Sequence, residues 1–380
     1  MKVSKDRILT THVGSLPRSE KVFKLIFARE AGEELDNNDY DKVIADAVKT
    51  VVIKQEEAGI DIVSDGEQSK ISYATYIKYR LNGFEGDSPR RTPRDLEEYP
   101  EFSTRASKSG GVPSFTRPRC TGEVSVKDTR PLEIDLINFS NALQKRSVND
   151  AFMNAASPGV IAQFQPNDYY SDHRSYLYAL AEAMKVEYEG IAKAGFVIQI
   201  DSPDLALGRH VMFKDKSDSE FVSMVELHIE ALNHALENIP AEQLRLHVCW
   251  GNYQGPHHCD IEMKKILPAV LKAKPQAISF EGSNPRHSHE WTVFRDADIP
   301  EEKILIPGVL DSTTNFVEHP QLVAERICRF ADIVGRERVI AGSDCGFSTF
   351  AGYGTVDADI TYAKLNSLVK GAVIASEKLW

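Results

Sequence analysis

GFVIQIDSP (195–203), QLRLHVCWGN (243–252) and QAISFEGS (276–283) are three short β-rich runs, each closing on polar or turn-forming residues. Helix-period stretches at 218–237 and 262–273 separate them. A strand, a helix and a second strand in that order make a parallel βα unit. Working outward, ILTTHVGS (8–15), GIDIVSDGE (59–67) and PGVIAQF (158–164) precede these runs, and KILIPGVLDS (303–312) and ERVIAGSD (337–344) follow them. Further helices are expected at 41–57, 174–194 and 320–334, the last with Pro320 in its first turn. Eight such units close naturally into a (β/α)8 barrel. The expectation is therefore an α/β fold, a single TIM barrel forming one domain over 1–380.

About ninety residues separate the second run from the third, far beyond an ordinary βα connection. The excursion at 85–150 contains DSPRRTPRDLEEYPEF and TRASKSGGVPSFTRPRC, rich in Pro, Arg, Ser and Gly. It reads as an irregular insertion after the second strand that covers the barrel mouth or reaches a neighbouring subunit, which would make the protein a homo-oligomer. No internal repeat and no composition break sets a second domain apart.

Of the 380 residues, 42% are hydrophobic and 27% charged, so the chain can bury a large core and is not globally disordered. Lys and Arg total 45 against 56 Asp and Glu, a net charge of −11 that would repel a phosphate backbone. Nucleic acid is not an expected partner. No apolar run approaches the roughly 20 residues of a membrane span. Five widely spaced cysteines and a start, MKVSKDRILTTHVGS, without an apolar signal core point to a reducing cytoplasmic setting.

In a barrel of this kind the strand ends and the loops after them carry reactive groups. His247 and Cys249 are two apart on one run and so share a face. Glu281 stands at the end of the next run, in SFEGS, and Cys345 directly follows the last. One imidazole, two thiolates and a carboxylate suit Zn2+, which accepts N, S and O ligands tetrahedrally. The alternative for an H-x-C pair on a strand is plain core packing.

The sequence resembles the cobalamin-independent methionine synthases and their short relatives, which include epoxyalkane:coenzyme M transferases. THVGSLPRS (11–19), DIVSDGEQSK (61–70), IQIDSPDLA (198–206), HVCWGN (247–252), ISFEGS (278–283), GVLDS (308–312) and AGSDCGF (341–347) carry the resemblance, in order, along successive strand ends. It spans nearly the whole chain and corresponds to the catalytic half of the two-barrel synthase. It implies a Zn2+ cofactor on His247, Cys249, Glu281 and Cys345, with a zinc-bound thiolate as nucleophile in alkyl transfer, most simply methyl transfer to homocysteine in methionine formation. Zinc would supply the anion that a free thiol of pKa about 8.5 mostly lacks at neutral pH. The partners implied are a small-molecule thiol and an alkyl donor, a folate or another.

The same resemblance implies that Gly14 and Ser15 meet the substrate carboxylate and that Glu67 and Asp201 receive its amine. As residues alone, Asp201 and Glu67 read equally as caps of helices that follow their strands. His12 either lines the pocket in a catalytic role or packs. Arg286, in NPRHSHEW (284–291), either meets an anionic substrate group or lies on a solvated loop. GPHHC (255–259) offers His257, His258 and Cys259, but adjacent loop residues point apart, so no second metal is expected there. Cys120 and Cys328 read as structural, and Tyr169 and Tyr170 as pocket walls or packing.

Two departures qualify the expectation. Thr313 stands where the full synthase has a His that helps to protonate the leaving folate nitrogen, and Ser202 follows Asp201 where the synthase has Glu. A nitrogen anion is a poor leaving group, so the missing proton donor puts the folate in doubt. Opening of an epoxide by coenzyme M, or a related 2-hydroxyalkyl-thioether lyase reaction, is the alternative within alkyl transfer. A metal-dependent hydrolase and a non-catalytic zinc- or thiol-binding barrel are the alternatives outside it.

Overall fold

The computed structural model describes residues 1–109 and 115–380. It contains ten strands: β1 Leu9–Thr10, β2 Ile62–Ser64, β3 Leu81–Glu85, β4 Arg119–Val126, β5 Asp150–Ala156, β6 Val197–Asp201, β7 Leu244–Val248, β8 Ala277–Phe280, β9 Ile304–Leu310 and β10 Ile340–Ser343. Eight of them form one parallel sheet in the order β1-β10-β9-β8-β7-β6-β5-β2, while β3 and β4 pair antiparallel outside it. Helices fill the crossovers, so the architecture is a nearly closed (β/α)8 barrel. The seam between β1 and β2 is bridged by Asp61 N–H to the Thr10 carbonyl at 3.2 Å and Thr11 Oγ1 to the Ile62 carbonyl at 3.0 Å. The Asp61 carboxylate reinforces it, accepting from Thr10 N at 2.9 Å and from the Arg7 guanidinium.

The period of two along each strand sorts side chains between two cores. Val197 packs inside the barrel with Leu9, Ile62, Phe152, Ala277, Ile304, Ile306 and Ile340, which close its lower end. Its neighbours Ile198 and Ile200 point the other way, into the larger core between sheet and helices. Above the apolar plug lies Arg245, fully buried, with its guanidinium 4.0 Å from the Phe152 ring. It donates to Thr11 Oγ1 at 3.0 Å and to the His12 carbonyl at 2.7 Å. The interior is thus packed solid, and only its upper end is open to ligands.

Seven of the eight expected strand positions match. The third does not: PGVIAQF is the helix Pro158–Phe164, and the strand is the preceding DAFMNAA. Ser157 caps this helix, its Oγ accepting from Val160 N at 3.0 Å, and Pro158 occupies the first turn. Ser-Pro is a helix-start signal that outweighs the β-branched residues behind it. Because every residue from Pro158 to Gln163 is buried, the run shows no amphipathic period that would reveal a helix.

The 85–150 stretch holds more regular structure than its composition suggests: helices Arg94–Glu97, Pro100–Ser109 and Arg130–Leu143 as well as β4, with 110–114 outside the described residues. Ser88, Pro89, Leu96 and Arg117 from this stretch line the cavity at the barrel's upper end, so it does cover the mouth. Among the described residues, no helix is long and apolar enough to cross a membrane.

Two glycines separate steric from conformational demands. A Cβ on Gly308 in β9 would lie 2.6 Å from the Asp344 Cα, whereas one on Gly195, at φ +89°, would meet nothing within 4 Å. Gly308→Ala is expected to cost about 3 kcal/mol or more, because main chain must move. Gly195→Ala should cost only about 1 kcal/mol of left-handed strain. Urea unfolding of both variants checks the difference.

Candidate active site and metal centre

Inward positions on β7 are Arg245, His247 and, one step past its end, Cys249; Cys345 follows β10 across the barrel. The structure brings three of these together. The ligand atoms of His247, Cys249 and Cys345 all lie within 4.8 Å of one another, and all three residues are buried. Cys249 Sγ and Cys345 Sγ are 3.7 Å apart. Two sulfurs on one tetrahedral Zn2+ with bonds of about 2.3 Å would stand roughly 3.8 Å apart. Both ring nitrogens of His247 are buried without a hydrogen-bond partner. Burial holds that ring neutral, with a pKa lowered to about 4. An unprotonated imidazole facing two thiols, with the Ser279 backbone as its other polar neighbour, is a donor set that fits a soft divalent ion.

Hydrogen bonding to Cys345, then burial, then the Glu281 charge push the Cys249 thiol well above its ordinary value, while Gly251 N–H donates to its sulfur at 3.2 Å. Glu281 lies beside this trio without joining it. Its Oε1 accepts from Trp250 N at 2.9 Å, and its Oε2 from Asn284 Nδ2 at 2.7 Å and Arg286 Nη2 at 2.5 Å. Burial pushes the carboxyl up, but Arg286, His287 and the Trp250 amide together hold it below the ordinary value. Arg286 is therefore the ion-pair partner of Glu281, 17% exposed rather than solvated, and is not among the residues lining the cavity.

Beside the trio opens a cavity of about 270 Å³, walled by Tyr73, Phe164, Phe350 and Tyr353 and reaching Ser15, Glu67 and Asp201. Glu67 sits at φ +53°, a strained angle for a non-glycine residue, and its Oε2 has no hydrogen-bond partner. Burial, countered by Lys70 and reinforced by Asp201, raises its pKa to about 8. Asp201 is raised to about 6, again by burial, although Asn154 Nδ2 and Gln199 Nε2 donate to it at 2.9 and 2.8 Å. Among the described residues neither carboxylate has a salt-bridge partner. Neither caps a helix.

Gly14 shapes this wall without lining it. Its φ is +138°, and a Cβ would fall 2.2 Å from Asn154 Oδ1. Gly14 N–H donates to His12 Nδ1 at 3.1 Å, and His12 Nε2 donates to Gln55 Oε1 at 2.7 Å. Both nitrogens of His12 are thus engaged, burial lowers its pKa to about 4, and the ring packs on Phe152. Thr313 turns its hydroxyl to Asp311 Oδ1 at 2.8 Å. Tyr169 is exposed and Tyr170 stacks on Tyr176, so neither walls the cavity.

Four contributors are not singled out by the sequence. Asn154 and Gln199 clamp Asp201 and the Val13 carbonyl. Asp344 accepts from the Gly282, Ser283 and Asn284 amides at 2.8 to 2.9 Å, tying the loop after β8 to the residue before Cys345. Tyr73, wedged at 5.6 Å from both Phe164 and Phe350, brings an aromatic hydroxyl into the cavity. The rule that loops after strands hold the site points to Tyr73; no pattern marks the inward Asn and Gln.

A family model described as the catalytic domain of cobalamin-independent synthase matches residues 8–89 and 125–370. A methionine synthase of Sulfolobus acidocaldarius is 25% identical over 371 residues, covering 97% of this chain and 93% of the relative. One from Thermococcus kodakarensis is 25% identical over 376 residues, covering 97% and 94%. Among solved structures, a B12-independent methionine synthase from Shewanella sp. W3-18-1 in complex with selenomethionine superposes with a TM-score of 0.74 at 20% identity, covering 98% of this chain and 99% of that one. That likeness confirms the fold.

The raised Glu67 carboxyl has a consequence for stability. With a pKa of about 8 folded against 4.5 as the ordinary value, the folded chain holds a proton that the unfolded chain has lost between those pH values. Stability is therefore lost as pH rises from about 4.5 to 8. In the metal-free protein without thiol, Tm is expected to fall across that range, and Glu67→Gln should flatten the fall. A variant curve parallel to that of the parent would refute the assignment.

Proposed function

The chain belongs to the cobalamin-independent methionine synthase family, and from that premise we propose that it is a zinc-dependent methyltransferase that alkylates the sulfur of homocysteine. The observation that carries this reading is the pair of sulfurs 3.7 Å apart beside a buried imidazole with no side-chain hydrogen bond, opening on a cavity whose facing wall holds two carboxyl groups that, among the described residues, make no salt bridge. His247, Cys249 and Cys345 would hold the ion, with Glu281 close by. When bound, Zn2+ supplies an ionised thiol at neutral pH.

The residues of the chain do the rest by placement. Glu67 and Asp201 receive the ammonium of the amino thiol, whose positive charge relieves two buried carboxylates that burial alone would keep protonated. Ser15 and the turn at Gly14 bound the space left for its carboxylate. This arrangement points the thiol sulfur at the His247–Cys249–Cys345 corner. An S–CH3 bond then forms as the donor's bond to that carbon breaks, and Tyr73 and the phenylalanines exclude water from the approach. In this reading residues 1–380 act as a single catalytic domain, and 85–150 roofs the cavity.

An epoxide and coenzyme M form the second reading, favoured by Arg91 and Arg117 at the cavity mouth, where a sulfonate could be met. The two carboxylates deeper in the cavity weigh against it, since they repel a sulfonate near the sulfur site.

Zinc-edge absorption should gain one sulfur neighbour per chain on adding homocysteine and none with coenzyme M. The opposite result would select the second reading, and no change with either thiol would end both. Asp201→Asn removes a charged acceptor of about 1.5–3 kcal/mol. The KM for homocysteine should then rise roughly tenfold to a hundredfold, with a smaller change in kcat.

A further inference from the structure

We infer that His210, His257 and Asp260 form a second divalent-cation site, of the imidazole–imidazole–carboxylate type, separate from the cysteine centre. The three come from different places in the chain. His210 lies on the short helix Gly208–Val211 after β6, and His257 and Asp260 lie in the loop after β7. Their ligand atoms lie within 4.8 Å of one another. His258 and Cys259, adjacent in sequence, turn outward to Glu98 instead.

The hydrogen-bond pattern shows which ring nitrogens face the carboxylate. The Tyr253 hydroxyl donates to the Asp95 carboxylate at 2.9 Å, so its oxygen accepts from His210 Nε2 at 3.3 Å. His210 Nδ1 is then a lone pair; it is buried, has no hydrogen-bond partner, and lies 3.5 Å from Asp260 Oδ1. His257 Nε2 donates to the Tyr253 carbonyl at 3.0 Å, so Nδ1 is the nitrogen that faces Asp260, at 3.1 and 3.2 Å. The unpartnered His210 Nδ1 lone pair, aimed at a carboxylate, repels it unless a cation lies between them, and His257 Nδ1 is placed to join it. Ligand atoms on a tetrahedral ion with bonds of about 2.05 Å stand roughly 3.3 Å apart, which brackets these separations.

Asp95, Asp260, Glu281 and Glu290 are joined through these groups, and Arg286 and His287 touch them as well. His287 donates to Glu290 at 2.8 Å and Asp260 at 3.0 Å and carries a proton, its pKa raised to about 10. Burial keeps His210 neutral and therefore able to ligate. His257 is held at φ +55°, a strained angle that ligation would repay. Nitrogen and oxygen donors of this kind suit Zn2+, Co2+ or Ni2+ better than Mg2+ or Ca2+. Bound there, the ion would pin Tyr253, a wall of the main cavity, to the loops after β6 and β7.

The test uses Zn2+ alone on metal-stripped Cys249→Ser/Cys345→Ser protein. One equivalent should bind and raise Tm, and adding Asp260→Asn should abolish it. Failure of the double variant to bind zinc while folded by circular dichroism would overturn the site, leaving an imidazolium network in its place. Should that variant not fold, Co2+ loading of the unaltered protein decides. Two equivalents are expected, only one giving a thiolate-to-cobalt absorption band, and His210→Gln should lose the other equivalent alone. A single equivalent in the unaltered protein would refute the proposal.

Discussion

A parallel barrel turns every second side chain of each strand toward its axis, and that constraint decides what the open end of this molecule can hold. Asp201 and His247 are direct register partners on β6 and β7, and His247 is in register with Ser279 on β8. One inward position higher come Cys249 and Glu281. Polar groups from neighbouring strands are thus forced together in a space too dry to hydrate them separately. The apolar plug and Arg245 beneath them close off any route to water from below. Whatever satisfies these groups must enter from above, through the cavity that the 85–150 stretch roofs.

Two kinds of electrostatic imbalance result, and they differ in sign of remedy. At the cysteine corner the mismatch is between donors: a neutral imidazole and two thiols, of which Cys249 is kept from ionising by Cys345 and by burial, which only a metal ion or a lost proton resolves. On the facing wall it is between two carboxyl groups, where Glu67 and Asp201 share one dry space without a salt bridge and burial opposes the ionisation of both. A ligand that brings an amine and a thiol on one short carbon chain answers both at once. A ligand with only one of the two leaves a buried group unmatched, and the resulting penalty is a source of selectivity that needs no shape recognition.

Strand order and most strand positions were legible because a buried parallel strand is a short apolar run ending in a polar residue. GFVIQIDSP and QLRLHVCWGN show this plainly. PGVIAQF was misread for the complementary reason, since a helix buried on all sides looks apolar throughout and only Ser157 and Pro158 betray it. His247, Cys249 and Cys345 were legible as a spaced set, and the structure does bring them together. His12 was not, because whether an imidazole is free depends on Gln55 and the Gly14 amide, contacts that a sequence does not display. His210 and Asp260 were overlooked for a similar reason. A histidine on one loop and a carboxylate on another have no fixed spacing.

Glu281 is the residue on which a family resemblance and local geometry pull apart. A carboxylate that already accepts from a guanidinium, an amide and a peptide N–H has little electron density left for a metal ion. To ligate, it must surrender Arg286, and Arg286 in turn lies 3.8 Å from Asp260 and would lean on that second carboxylate. In the proposed reading this makes Glu281 a weak fourth ligand held back by a counter-charge. Three protein ligands and one readily vacated position are what a catalytic rather than a structural zinc requires. The Arg286–Glu281 pair then does what a tighter ligand set could not. It keeps the fourth position accessible to an incoming thiol while a compensated carboxylate stands beside it, so that vacating the position exposes no bare charge to a dry interior.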